Sequence, residues 1–172
     1  MAHRNIHYEA AFEDFLRAKG WPYVAVDETK RAIFADVSIK SFDFLVYSSS
    51  GPNLLVDVKG RKFPDLATGK GTKTRSWENW ITRQDIEGLQ LWQKVFGDGF
   101  MPVLVFAYWL QGHPHQSPFN DVHLFRQEHY AFVAIGLEDY LAASRPRSAR
   151  WQTIAMPSAQ FARQARDIAT FL

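Results

Sequence analysis

The chain contains no cysteine in its 172 residues, which excludes a disulfide framework and any thiolate-bound metal and fits a cytoplasmic setting. Long hydrophobic runs are missing too. Met101 to Leu110, the most apolar stretch, is broken by Pro102 and falls far short of the roughly 18 residues that span a bilayer, so no membrane partner is expected. MAHRNIHYEAAFEDF mixes charged and apolar residues from the first positions, so no secretory signal is read there. Net charge is small, +2 at neutral pH, and function must depend on where the basic residues cluster. No G-x-S-x-G motif supports a hydrolase elbow. GKGTKT lacks the spacing of a phosphate-binding loop. His113, His115, His123 and His129 stand at no helical i, i+4 spacing and have no cysteine beside them, which argues against a zinc site.

Apolar residues make up 47% of the chain, enough for a sizeable core. With no repeat, low-complexity tract or evident boundary, one domain over residues 1–172 is expected, its core at about 8–110 and a C-terminal elaboration at about 111–172. Tyr8, Phe12, Phe15 and Leu16 follow the spacing of one helical face, ended by Gly20 and Pro22. YVAVDE and AIFADVSI read as short strands. FDFLVY and NLLVDV, separated by SSSGP, read as a β-hairpin. A loop rich in Gly, Lys and Arg is expected from Gly60 to Trp77. Thr82 is a candidate N-cap for a helix with Asp85 in its first turn, ending at Gly97. PVLVFAYWL then reads as a strand buried on both faces. Strand, helix and strand together form a βαβ crossover, so a mixed sheet flanked by helices, an α/β domain, is predicted. Farther on, VHLF and HYAFVAIG read as strands, LEDYLAAS as a short helix and SAQFARQARDIATFL as a terminal helix.

The hairpin carries the chemistry. Side chains alternate along a strand, so Leu55, Asp57 and Lys59 share one face while Leu54, Val56 and Val58 share the other. Asp43, at the start of the partner strand, can reach the same place. Isolated buried charges cost several kcal/mol each, so these three require one another, a cation or a cleft. Two carboxylates with oxygen-only chemistry suit Mg²⁺ or Mn²⁺, which keep several waters and take substrate phosphate. A lone Asp-x-Lys in a strand is most often a plain salt bridge. An Asp on one hairpin strand, Asp-x-Lys on the next, a basic loop after them and an acidic helix before them are a rarer combination.

In that order Glu9, Asp43, Asp57 and Lys59 resemble the PD-(D/E)XK nuclease superfamily, in particular its Holliday-junction-resolvase-like and restriction-endonuclease-like branches. The resemblance covers roughly Tyr8 to Leu110. It implies a restriction-endonuclease-like three-layer domain and a divalent-metal-dependent deoxyribonuclease that hydrolyses phosphodiesters in DNA with Mg²⁺ or Mn²⁺. It further implies Asp43 and Asp57 as metal ligands with the Val58 carbonyl as a third, Lys59 as the catalytic lysine, and Glu9 as the helix acid. Phe42 stands where that superfamily has its name-giving Pro, and the second acid is Asp rather than the Glu usual in the resolvase branch. Glu9 is preferred to Glu13 because it adjoins Leu16 at the border of the apolar face. Arg61, Lys62, Lys70, Lys73 and Arg75 are the expected phosphate contacts. Gln84 is a weaker candidate for the same site, Trp77 and Trp80 are expected in the core, and Arg145, Arg147 and Arg150 could extend the basic surface. Many members of that superfamily form dimers, which leaves a homodimer open. The competing reading is a binding module on the same fold that contacts nucleic acid or protein without cutting.

Overall fold

The computed structural model describes residues 6–26, 32–34, 37–68 and 76–172. Helix α1 (Ile6–Lys19) buries Tyr8, Ala11, Phe12, Phe15 and Leu16 along one face. Apolar burial on this scale contributes roughly 2 kcal/mol per large side chain and is what holds the helix to the sheet. The helix stops at Gly20, whose φ of 72° is the left-handed conformation that lets Trp21 N–H donate back to Leu16 O at 3.1 Å.

Seven strands form the main sheet: β1 (Tyr23–Ala25), β4 (Phe44–Val46), β5 (Asn53–Phe63), β7 (Phe100–Leu110), β9 (Glu128–Gly136) and β12 (Arg166–Asp167) in that order, with β8 (His123–Phe125) also on β9. β5 and β7 pair in parallel along their full lengths, and the remaining pairs are antiparallel. The parallel step is made by helix α2 (Arg83–Phe96), the crossover expected from sequence. Val103 to Tyr108 are fully buried, as a central strand covered on both faces requires. Alternation along β5 holds as well. Leu54, Val56 and Val58 pack under α1, and Leu55 packs in the opposite layer with Phe42, Leu89 and Tyr140.

A second, three-stranded sheet joins β10 (Arg145–Ser148), β11 (Thr153–Ala155) and β6 (Ile81–Thr82), with β11 in the middle. Helices α3 (Leu137–Ala143) and α4 (Ser158–Gln164) flank it in sequence.

Three expectations need correction. AIFADVSI is two short strands, β2 (Ala32–Phe34) and β3 (Val37–Ile39), paired with each other. Gly60 to Phe63, read as the start of a loop, continue β5, because Ala107 to Leu110 of β7 pair with them. The terminal helix ends at Gln164. The open edge of β9 takes up Arg166 and Asp167 as a strand, and Ile168 then turns into the α1 layer and becomes fully buried, which a continued helix would not permit. Among the described residues no helix is long and apolar enough to cross a membrane.

Candidate active site

Asp43 is tied to β5 through two bonds. Its N–H donates to Val56 O at 2.9 Å, and its Oδ2 accepts from Val58 N–H at 2.5 Å. Continuing the β4–β5 register, in which Phe44 faces Val56, sets Asp43 across from Asp57. Each of the two residues is only 4% exposed. Two carboxylates at this depth are costly unless cations face them.

Lys59 provides one cation. Its Nζ lies 2.6 Å from Asp57 Oδ2, as expected of side chains two apart on one strand face, and 3.0 Å from Asp85 Oδ1. Asp85 comes from the first turn of α2. Its carboxylate accepts from Thr82 N–H at 2.8 Å and Thr82 Oγ1 at 2.7 Å, while its own N–H donates to Thr82 Oγ1 at 3.2 Å. This is a capping box with Asp in the place of the usual Glu, and it turns the carboxylate inward. Lys40 Nζ binds the same Oδ1. The backbone of Lys40 is held there by α2: Trp92 Nε1–H donates to Lys40 O at 3.0 Å, and Gly88 admits the approach, since a Cβ on it would stand 2.9 Å from that carbonyl.

The electrostatics follow from these contacts. Burial favours a neutral Asp85, but Lys59 and Lys40 outweigh it and hold the carboxyl well below the usual carboxylate range. Burial likewise opposes the Lys59 ammonium, and Asp57 and Asp85 together override it, keeping Lys59 above its ordinary pKa. Asp57 moves the other way, because burial pushes its pKa up more than Lys59 pulls it down. The site thus combines a firmly charged lysine, a firmly charged Asp85 and an Asp57 under-compensated for its depth.

Lys59, Asp85 and Lys40 line a cleft of about 820 Å³, together with Tyr8, Arg61, Trp80 and Thr82 among others, and Asp43 and Asp57 lie buried behind Lys59. The Tyr8 ring lies against the backbone at Gly60, where a Cβ would come within 2.1 Å of it. Arg61 donates to Gly60 O at 2.7 Å and to Trp80 O, with its guanidinium carbon 4.0 Å from the Trp80 ring centroid. Part of its donor set is therefore used internally. Lys62 is exposed on the rim, its Nζ 5.1 Å from the Trp109 ring.

Of the expected site residues, Asp43, Asp57, Val58 and Lys59 come together, and Arg61 and Lys62 line the cleft beside them. Lys70, Lys73 and Arg75 lie outside the described residues. Glu9 is half-buried and follows Tyr8 on α1 without lining the cleft. Glu13 is engaged at the surface with Arg17 at 2.7 Å and Tyr23 at 2.8 Å. Gln84 is exposed, and it is the next residue, Asp85, that enters the site. The signal lies in Thr82-x-x-Asp85, a pattern that on sequence alone marks a helix start. Trp77 packs in the core with Phe63 and Tyr108, whereas Trp80 faces the cleft. Among the described residues no three His, Cys, Asp or Glu side chains are gathered as a metal cluster. His123 instead pairs with Asp14 at 2.7 Å.

No protein-family model matches this sequence, and no curated protein matches it either. The fold does have a likeness among solved structures. The Holliday junction resolvase of Archaeoglobus fulgidus, an archaeal hyperthermophile, superimposes with a TM-score of 0.57 at 12% identity, over 96% of this chain and 98% of that one. The two chains thus share a restriction-endonuclease-like fold, a mixed central sheet flanked by helices.

Proposed function

We propose that this protein is a divalent-metal-dependent nuclease that hydrolyses phosphodiester bonds in DNA. The observation that carries this reading is the Lys59 ammonium, held 2.6 Å from the buried Asp57 with Asp43 opposite on the partner strand, in the lining of a cleft that Arg61 and Lys62 also line. The likeness to a Holliday junction resolvase supports it at the level of fold.

The donors suit a hard divalent cation. Asp43 and Asp57, with the Val58 carbonyl, offer oxygen only, and Mg²⁺ or Mn²⁺ typically takes one or two protein carboxylates, filling its remaining positions with water and phosphate oxygens. The raised pKa of Asp57 fits this arrangement, because a carboxylate buried beyond what Lys59 compensates gains from a second cation. When bound, such a cation polarises the phosphate and activates water.

The protein's own groups have distinct tasks. Lys59, charged throughout the physiological range, cannot serve as a base. It donates Nζ–H to the attacking water or to a non-bridging phosphate oxygen and stabilises negative charge as it develops. Asp85 fixes where that ammonium sits, and Lys40 keeps Asp85 ionised. Arg61 and Lys62 attract the phosphate backbone, and Glu9 remains the proposed acid from α1.

Titration calorimetry with Mn²⁺ tests the reading, with wild type compared to Asp57→Asn and DNA binding measured on both. A Mn²⁺ signal in wild type that disappears in Asp57→Asn, with DNA affinity kept within a few-fold, is the expected result. DNA binding without any Mn²⁺ signal in wild type points instead to the noncatalytic module.

A further inference from the structure

The chain from Tyr140 to Arg166 contains five arginines (Arg145, Arg147, Arg150, Arg163 and Arg166) and no aspartate, glutamate or lysine. Three of them lie on the β10–β11 hairpin and its turn, and all three are exposed. At the tip stands Trp151, 68% exposed, more than any other large apolar side chain among the described residues. Its ring belongs to neither core layer, and the Arg150 guanidinium carbon lies 5.2 Å from its centroid. An indole left in water forgoes the burial that a large aromatic gains in a core, and its ring face is open to a partner outside the chain.

The tip is anchored to the candidate active site. β11 pairs with β6, setting Thr153 against Thr82, and Gln152 O accepts from Arg83 N–H at 3.0 Å, two residues before Asp85. Arg147 reaches back to the cleft, its guanidinium carbon 5.4 Å from the ring of Trp80. Arg61, Trp80 and Arg147 thus alternate guanidinium and indole at the cleft, and Arg150 with Trp151 forms a second such pair on the turn of the same hairpin that carries Arg147. Flat π faces interleaved with arginine are suited to unpaired nucleobases and their phosphates: bases stack on the rings, and guanidinium binds phosphate bidentately or stacks in turn. A protein partner would be served by an apolar patch, and this set has few aliphatic groups.

We propose that the hairpin Arg145–Ala155 is a second nucleic-acid contact, on which Trp151 stacks with an unpaired base beside the cleft while Arg147 and Arg150 hold flanking phosphates. This makes DNA containing single-stranded character the preferred ligand. The proposal rests on the nucleic-acid part of the function proposed above, but not on cleavage.

Fluorescence anisotropy in EDTA, where no metal-dependent cleavage can occur, tests it with two labelled DNAs of equal length, one fully paired and one with a single-stranded gap. For Trp151→Ala, gapped-DNA affinity is expected to fall about tenfold, within the range for loss of one stacked base, while paired-duplex affinity changes less than about twofold. Trp151→Phe should retain most of the preference. Arg147→Gln with Arg150→Gln should weaken both ligands and flatten the salt dependence. Melting temperatures of the variants check that the exposed tip is not needed for folding. Equal losses of Trp151→Ala on both DNAs, no loss on either, or a wild type that binds neither DNA overturns the proposal. Discrimination by Trp151 in a protein that never cleaves upholds it and removes only the nuclease reading.

Discussion

Lys59 Nζ stands 3.0 Å from Asp85 Oδ1, and this single ion pair joins the third-position residue of α2 to the face of β5 that carries Asp57. Residues 26 apart in sequence are thereby fixed relative to one another at the cleft floor. The pair is largely buried, so breaking it leaves charge where little solvent can compensate it.

Asp85→Asn should consequently destabilise the fold by roughly 3 kcal/mol, since it removes a buried carboxylate that pairs with both Lys59 and Lys40 and caps α2, leaving Lys59 to its pair with Asp57. In a chain of this size that corresponds to a fall in Tm on the order of 6–12 °C. Thermal unfolding followed by circular dichroism measures it. A variant melting within about a degree of wild type would contradict the role given to Asp85.

The same pair sets a pH dependence. Asp85 is held below its unfolded value of about 3.9, so its stabilisation is complete above that pH and is lost as pH falls through the carboxylate range toward the folded pKa. The stability gap between wild type and Asp85→Asn should therefore be large at pH 7 and shrink as the pH drops below about 4. Urea denaturation at a series of pH values reads the gap directly. A gap that widens on acidification would have the wrong sign.

Gly60→Ala offers a test of how α1 approaches the site. A Cβ there meets the Tyr8 ring at 2.1 Å, so the ring must leave a position where it is only 8% exposed. Overpacking of this kind costs about 1–3 kcal/mol. Because Tyr8 also lines the cleft, DNA affinity should fall together with stability, whereas a Gly60→Ala protein with unchanged Tm would place Tyr8 elsewhere.

Much of this site was legible in the sequence because β structure has a fixed side-chain period. Asp57 and Lys59 share a face in any strand, and Leu54, Val56 and Val58 could only be core. The crossover helix announced itself through Thr82 and Gly97. Asp85 was harder to see. Its inward direction depends on the Thr82 capping bond and on Gly88 letting α2 approach Lys40, neither of which is a periodic signal. The C-terminal third was least legible, since β12 exists only because β9 offers an open edge, and the pairing of β11 with β6 links segments about seventy residues apart.

The central proposal is that Asp43 and Asp57 hold a divalent cation beside Lys59, where a DNA phosphodiester is cut. The most direct measurement is the Mg²⁺-dependent cleavage rate of labelled single-stranded, duplex and four-way-junction DNA by wild type beside Lys59→Ala. The expected result is cleavage of at least one substrate in Mg²⁺ or Mn²⁺, none in EDTA, and a loss of about a hundredfold or more in Lys59→Ala, the scale on which a positioned charge-stabilising donor acts. Cleavage by Lys59→Ala at the wild-type rate would contradict the claim.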